Sequence, residues 1–344
     1  MSARGSALVA ALLLMALAGI LATGLAELGR RALARARLDR DGVRAAYLAE
    51  AGIADVVATL PPGWSFTDAL ATYPALPPAN GPAWTWSAGL TDDPDETPRD
   101  DARDVNARVI LRVNAFGPAP VRRRLEAVIG RESVPLQPGA LTLGGDLQSL
   151  AADFSLDGRD FDMASGCTAL GAELARAGLA LPEGAGMPIL AHPERITGSG
   201  AAPSIARTAA PSYAEVAGDS RALRLAAGAL PAMLGDLAMP RFTSVAGDAE
   251  ADQPTTGAGV LWVAGRLRVT ARLAFTGAVA AADGIEVAPG ATLEVCGGAW
   301  AGGAGAFAAA GGGFVRASTA ALRRAATLAP LPARARLIAV REAP

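Results

Sequence analysis

The sequence predicts an α+β protein. A long, hydrophobic N-terminal helix comes first, then an antiparallel pilin-like sheet, and then a mainly β, solenoid-like C-terminal domain. Three observations support this prediction. An uncharged run near the N-terminus continues into a helix-forming segment, two alternating segments flank a Gly-Pro break, and Gly-bounded segments recur roughly every 20 residues near the C-terminus. A chain of 344 residues accommodates two modest domains and a membrane element.

The composition argues against several function classes. Hydrophobic residues make up 51% of the chain but aromatic residues only 5%, so the apolar content is mainly Ala, Leu and Val. A net charge of −2 provides no overall basic field, and we expect no nucleic-acid partner. The single histidine, His192, lies in a proline-flanked loop without a nucleophile motif nearby. The sequence therefore predicts no catalytic residue and no cofactor, and it assigns no metal site apart from the calcium alternative for residues 91–104 given below.

The first 60 residues predict one continuous helix. Residues 7–26 carry no charge, and about 20 helical residues extend about 30 Å, the thickness of a bilayer core. Residues 27–60 contain no proline and are rich in strong helix formers, and Pro61 and Pro62 end the helix. Apolar residues recur at helix-like intervals in this part: Leu28, Leu38, Val43, Tyr47, Ala51 and Val56.

The apolar run has a second interpretation, a secretory signal cleaved after Ala26. The helix that continues past Ala26 favours a retained anchor instead. A dense group of arginines follows the run: Arg30, Arg31, Arg35, Arg37, Arg40 and Arg44. By the positive-inside rule alone, these arginines would place the C-terminal bulk in the cytoplasm.

The N-terminus resembles that of PilX-type minor pilins and the related general secretion pathway K-type pseudopilins. The resemblance depends on Arg4-Gly5-Ser6 before a hydrophobic run and on Ala49-Glu50-Ala51-Gly52 within residues 44–56. It implies a leader of residues 1–5, cleavage after Gly5 by a prepilin peptidase, and methylation of the new N-terminus at Ser6.

The same resemblance implies a location and a role. The helix of residues 6–60 would be a single-pass anchor in the inner membrane, with the C-terminal bulk in the periplasm or outside the cell. This arrangement would resolve the conflict with the positive-inside rule. The implied partners are other pilin-like subunits, and the implied function is a non-enzymatic part in the assembly or tip of a type IV pilus or similar filament.

One position departs from the pilin pattern. Most pilins carry glutamate at the fifth mature position, which is Ala10 in this sequence. K-type pseudopilins, which occupy a filament tip, also lack that glutamate. The resemblance therefore implies a minor, terminal or merely anchored protein and not the repeating subunit of a filament shaft.

Residues 61–133 are predicted to form a pilin-like antiparallel head. Residues 106–117 and 119–130 alternate apolar and polar positions around Gly117-Pro118, which is typical of a hairpin, and residues 83–90 supply a further strand. Such a sheet would bury the apolar stripe of the helix. The acidic segment of residues 91–104 is either a calcium site, with Asp93, Asp95, Asp100, Asp101 and Asp104 as ligands, or a solvated loop. Its spacing does not match an EF-hand.

Residues 134–344 are predicted to form a Gly/Ala-rich β-solenoid, with an irregular β-sandwich as the alternative. Residues 259–277, 277–297 and 298–318 are the three aligned repeats, and residues 140–162 supply a further strand layer. Residues 163–257 are expected to be a helical and loop insertion, and the resemblance to PilX-type proteins implies a helix and a strand near the C-terminus, over residues 318–342. Cys167 and Cys296 either bond in an oxidising compartment or remain buried thiols.

Two other functions stay open at this point. One is a membrane-tethered surface adhesin outside any filament. The other is a secreted β-solenoid enzyme that acts on glycans through carboxylates and arginines converging on one face. Its candidate residues are Asp157, Asp160, Asp162, Arg266, Arg268, Arg272, Asp283, Glu286 and Glu294.

Overall fold

The computed structural model describes residues 3–60, 62–73, 82–94, 102–118, 120–186 and 190–342. In this part of the chain, a long N-terminal apolar helix precedes a mostly β domain with a β-solenoid arrangement. The predicted fold class is therefore confirmed.

The elements have the following bounds. The helices are α1 (Ala3–Thr59), α2 (Thr67–Thr72), α3 (Ala214–Gly218) and α4 (Thr319–Ala326), with 3-10 turns at Met163–Ser165 and Pro193–Arg195. The strands are β1 (Thr85–Asp92), β2 (Arg108–Phe116), β3 (Arg122–Pro135), β4 (Gly139–Leu143), β5 (Leu147–Leu150), β6 (Phe154–Asp157), β7 (Ala177–Leu181), β8 (Ile196–Thr197), β9 (Ile205–Arg207), β10 (Leu223–Leu225), β11 (Gly228–Ala229), β12 (Met233–Leu234), β13 (Arg241–Val245), β14 (Ala249–Ala251), β15 (Thr255–Val263), β16 (Leu267–Val269), β17 (Arg272–Ala281), β18 (Ile285–Val287), β19 (Thr292–Ala301), β20 (Phe307–Ala309), β21 (Gly312–Ala317) and β22 (Ala333–Glu342).

The head is a four-stranded antiparallel sheet in the order β1-β2-β3-β22, with the end of α1 packed on one face. The predicted hairpin is β2 and β3, paired from Arg108 with Gly130 to Phe116 with Arg122. Alternate residues of these strands face α1 and are fully buried: Val109, Leu111, Val113, Ala127 and Ile129. The period-two pattern therefore identified the inner face of the sheet correctly.

The last strand completes the head, although the sequence grouped it with the C-terminal region. Strand β22 pairs antiparallel with β3, from Ala333 opposite Pro135 to Glu342 opposite Leu125. Glu126 on β3 accepts hydrogen bonds from Arg112 on β2 and Arg341 on β22. Strands β1 to β3 and the last described strand, β22, thus meet in one sheet, and the solenoid lies between β3 and β22 in sequence.

The solenoid consists of parallel strands stacked in rungs. One sheet runs β10-β13-β15-β17-β19-β21-β6-β8 and the other β11-β14-β16-β18-β20-β5, so successive rungs contribute a strand to each. Parallel pairing throughout both sheets is incompatible with the β-sandwich alternative, whose strands are antiparallel. The side chains between the sheets form one buried core of mainly Leu, Val, Ala and Phe.

The solenoid is longer than the three predicted repeats. Residues 140–162 add a layer, as predicted, because β4, β5 and β6 pair with β19, β20 and β21. The helical insertion predicted for residues 163–257 is wrong. In the described part of that range, α3 is the one α-helix, and β10, β11, β13 and β14 are solenoid strands. Glycines and prolines interrupt any longer helix there, whereas the neighbouring parallel strands satisfy the backbone hydrogen bonds.

A column of glycines forms one corner of the solenoid. Gly259, Gly277 and Gly297 pair in register on β15, β17 and β19, with φ values of 114°, 133° and 145°. A Cβ on Gly277 would lie 2.0 Å from the carbonyl oxygen of Gly259, and one on Gly297 would lie 2.0 Å from that of Gly277. The rungs therefore approach too closely at this corner for any other residue.

Helix α4 covers the outside of the solenoid and connects it to the head. Ser318 caps the helix by accepting a hydrogen bond from the Ala321 backbone N–H. Leu322 and Ala325 of the helix belong to an apolar cluster with Tyr213, Trp262 and Trp300, whose ring centroids lie 4.7–6.1 Å apart. Gln137, just after β3, donates a hydrogen bond to the fully buried Tyr213 hydroxyl. Burial raises the pKa of Tyr213, so this hydroxyl stays protonated.

Candidate functional site: the N-terminal helix and its packing

Helix α1 is 57 residues long and has three parts with different surroundings. The first part, which we call the apolar segment, comprises residues 7–26. Its large side chains expose 54% to 70% of their surface, and these are Leu8, Leu12, Leu13, Leu14, Met15, Leu17, Ile20, Leu21 and Leu25. Within the described part of the chain, α1 is the one helix that is long and apolar enough to cross a membrane.

The predicted processing residues lie at the start of α1. Gly5, Ser6 and Ala10 have helical backbone and continue without a break into the apolar segment. Met1 and Ser2, at the start of the predicted leader, lie outside the described residues. Cleavage after Gly5 and methylation of Ser6 therefore stay predictions.

The second part of α1, which we call the stalk, comprises residues 27–40. Every side chain of the stalk is exposed, because the head first contacts the helix at Asp41 and Gly42. Arg30 and Arg31 both pair with Glu27, at 3.7 Å and 2.9 Å. The stalk exposes Leu28, Leu33 and Leu38 alongside its charged residues.

The third part, residues 41–59 with the adjoining Leu60, packs on the head sheet. Its buried residues are spaced at three and four positions and are mostly small: Gly42, Ala45, Ala49, Gly52, Ile53, Val56 and Leu60. The apolar stripe predicted from Leu28, Leu38, Val43, Tyr47, Ala51 and Val56 is therefore wrong except at Val56, since the other five residues are exposed. Large side chains suggested the stripe, but small ones form the actual contact.

Gly52 shows why small residues occupy this face. A Cβ there would lie 2.9 Å from the Trp86 ring on β1 and 3.0 Å from Val113 on β2. The backbone of α1 thus lies almost directly on the sheet. The guanidinium of Arg44 also stacks 4.0 Å above the Trp84 ring, which holds the helix against the start of β1.

An apolar groove of about 670 Å³ lies between the end of α1 and β22. Helix residues Ile53, Ala54 and Val57 line one side, and Ala335 and Leu337 of β22 line the other. Strand β22 forms the edge of the head sheet, so the groove continues the apolar face beyond the last strand. Sequence reasoning missed the groove because the alternation of β22 does not indicate which sheet it joins.

Cys167 and Cys296 are bonded in the structure, with their Cα atoms 5.8 Å apart. Cys296 lies on β19, and Cys167 lies in the loop after β6. Both pack with Phe161, and Arg316 donates a hydrogen bond to the Cys167 carbonyl. The bond connects two segments that are 129 residues apart in sequence, which spacing alone could not have placed together.

The acidic segment of residues 91–104 is only partly described. Asp95, Asp100 and Asp101 lie outside the described residues. Asp104 is buried and accepts hydrogen bonds from the backbone N–H groups of Phe66 and Arg108, so it orders the chain around β2. Among the described residues, no three His, Cys, Asp or Glu side chains come together as a metal site would require.

The carboxylates that suggested glycan chemistry make structural contacts. On the solenoid, Glu286 lies 3.9 Å from Arg268 and Glu294 lies 2.7 Å from Arg272, which are ion pairs between neighbouring rungs.

The three aspartates at the end of β6 and just after it also make structural contacts. Asp157 pairs with Arg159, Asp160 accepts from the Thr319 backbone N–H, and Asp162 caps a 3-10 turn. His192 lies 3.1 Å from Glu194 in an exposed loop.

No protein-family model and no curated protein matches the chain. Among solved structures it is similar to the competence-associated pilin ComZ from Thermus thermophilus. The two are 13% identical, the match covers 88% of this chain and 97% of that chain, and the TM-score is 0.23. A TM-score this low carries no argument about fold or function, so the function has to be inferred from the residues themselves.

Proposed function

We propose that this chain is a non-enzymatic minor pilin or pilus-assembly protein, anchored in the inner membrane by α1. One observation carries the proposal. A single unbroken helix exposes the large apolar side chains of its first part and buries one face of its last part on an antiparallel sheet. A soluble protein would have to cover the apolar segment, whereas a lipid bilayer or a bundle of similar helices covers it without further structure.

The proposed mechanism is physical. The apolar segment resides in the bilayer until the subunit is extracted into a bundle of similar helices, where neighbouring subunits replace lipid around it. The stalk and the small-residue contact with the head keep α1 rigid between bilayer and sheet. The head and the solenoid then stand on the periplasmic or extracellular side, available to other subunits.

The proposal includes processing of the N-terminus and a terminal place in the filament. A prepilin peptidase cuts after Gly5 and methylates Ser6, so that the mature anchor consists of residues 6–60. Ala10 lacks the carboxylate that most pilins use to pair with a neighbouring N-terminal amine. We therefore infer a tip, initiating or assembly role in place of a repeating position in the shaft.

Mass spectrometry of the mature N-terminus tests the proposal most directly. Co-expression with a prepilin peptidase is expected to yield a chain that begins at methylated Ser6 and stays in the membrane fraction. The matched control, Gly5→Val, should retain the leader while the folded head is unchanged, because residue 5 is far from the sheet. A chain that begins at Glu27 and is released as a soluble protein would overturn the proposal.

A further inference from the structure

We propose that the stalk of α1 binds the headgroups of anionic phospholipids where the helix leaves the bilayer. This inference rests on the proposed anchoring of α1 and adds a partner for a surface that anchoring does not use. The stalk is strongly basic. The stalk carries five arginines against Glu27 and Asp39, a net charge of +3. Because the whole chain carries −2, the residues outside the stalk carry −5.

The stalk arginines are available to an external partner. Arg30, Arg31 and Arg40 expose 75–77% of their side chains. Arg30 and Arg31 share one salt-bridge partner, the carboxylate of Glu27. Within the part of the chain that the structure describes, neither Arg35 nor Arg37 forms a salt bridge.

The distances place these arginines at the membrane surface. At about 1.5 Å per residue, Arg30 and Arg31 lie roughly 6–8 Å beyond Ala26, the last residue of the apolar segment. The polar layer of one leaflet is about 5–8 Å deep, so these two guanidinium groups lie within or at the edge of the headgroups. The backbone of Arg35 lies about 14 Å beyond Ala26. Its long side chain can extend towards the headgroups, and the gap between Arg35 and the headgroup layer is no more than about one Debye length.

The distribution around the helix favours lipid over a macromolecular partner. At about 3.6 residues per turn, the five arginines spread over more than half of the helix circumference. A nucleic acid or a protein groove would contact one side of the stalk only. A headgroup layer surrounds the helix, so it contacts Arg30, Arg31 and Arg35 on whichever face each lies, and guanidinium groups bind phosphate oxygens in a bidentate manner. Arg37 and Arg40 lie about 17 Å and 21 Å beyond Ala26 and add only longer-range attraction.

The test measures lipid retention by the full-length chain. The protein, purified in a neutral detergent, is mixed with phosphatidylglycerol or phosphatidylcholine, and bound lipid is counted by native mass spectrometry. We expect preferential retention of phosphatidylglycerol that weakens with added salt. The triple variant R30Q/R31Q/R35Q should bind it about five-fold more weakly for each arginine removed, whereas R30K/R31K/R35K should keep most of the affinity.

The controls separate the possible outcomes. Arg334→Gln with Arg336→Gln removes two exposed charges from β22 and should leave lipid retention unchanged; an equal loss in this variant would overturn the inference. Equal retention of both lipids would also overturn it. So would binding of a 20-base-pair DNA duplex that competes with lipid and is lost in the glutamine triple, which would assign the stalk to nucleic acid.

Carbonate extraction of the membrane fraction examines the anchor independently. If α1 is released by carbonate, the proposed function fails together with this inference. If the chain stays in the membrane but shows no preference for anionic lipid, the proposed function stands and only the stalk assignment fails.

Discussion

Gly52 in the head and Gly277 in the solenoid both lie where a side chain would collide with a neighbour, but the neighbours differ. At Gly52 the nearest atoms are the side chains of Trp86 and Val113, and the backbone of α1 is ordinary helix. At Gly277 the nearest atom is the carbonyl oxygen of Gly259, and φ is 133°. Side chains can move by a few tenths of an ångström, whereas the backbone of a stacked rung cannot.

The difference reflects how each region is built. The head is a helix laid on a sheet, so its contact is made by side chains and can adjust. The solenoid is a stack of rungs whose spacing is set by backbone hydrogen bonds at about 4.8 Å. A glycine therefore improves the fit in the head but is a strict requirement at the solenoid corner.

The largest expected effect is at the solenoid corner. Gly277→Ala should lower the free energy of unfolding by about 3–5 kcal/mol, because it adds a backbone collision to a strained φ. The matched control is Gly228→Ala, since Gly228 has a φ of 131° but nothing within 4 Å of its would-be Cβ. The control should cost only the strain, about 1–3 kcal/mol. Thermal unfolding of the full-length chain in detergent measures both, and equal losses would contradict the collision.

The second largest effect concerns the disulfide bond between Cys167 and Cys296, which lies in the solenoid and not in the described head. Reducing the bond between Cys167 and Cys296 should lower the free energy of unfolding by about 2–4 kcal/mol, because the link closes a long loop in the unfolded chain. Tryptophan fluorescence should show the solenoid, with Trp262 and Trp300, melting earlier. The double variant C167A/C296A should melt at the same temperature with and without reductant. A wild-type chain that does not respond to reductant would contradict the bond.

Sequence reasoning predicted the elements whose signal is local and missed those decided by packing. The period-two alternation of residues 106–130 identified the hairpin and its buried face. The buried face of α1 was missed, because Gly42, Ala45 and Gly52 carry no hydrophobic signal and yet permit the closest approach.

The solenoid was recognised from its glycine period, but its first rungs were interpreted as helices. Residues 220–238 are rich in Ala and Leu, which favour helix in isolation, and a tertiary context of parallel strands overrides that preference. The pairing of β22 with β3 and the approach of Cys167 to Cys296 join residues far apart in sequence. Neither contact leaves a local signal.

The third effect returns to the head and should be smaller. Gly52→Ala gains about 1 kcal/mol of helix propensity but forces Trp86 and Val113 to move, at a cost of about 1–3 kcal/mol. We expect a net loss of about 1 kcal/mol, visible as an earlier transition and a changed Trp86 fluorescence. The matched control is Gly29→Ala in the exposed stalk, which has nothing within 4 Å and should be neutral or stabilising. If Gly52→Ala stabilises the chain as Gly29→Ala does, the close contact between α1 and the sheet is wrong.

The smallest effect depends on pH and concerns the ion pairs that join β2, β3 and β22. Hydrogen bonds from Arg112 and Arg341 hold the pKa of Glu126 below its usual value of 4.5. A carboxyl group whose pKa is lower in the folded state adds stability above its unfolded pKa and loses it as the pH falls through the folded value. Glu126→Gln should therefore cost about 1 kcal/mol at pH 7, where Glu126 is ionised in both the folded and the unfolded wild type, and this cost should shrink as the pH falls below 4.5 and through the folded pKa. Melting curves of both proteins across this range measure the difference. A cost that stays constant with pH would show that packing of the side chain, and not its charge, joins the three strands.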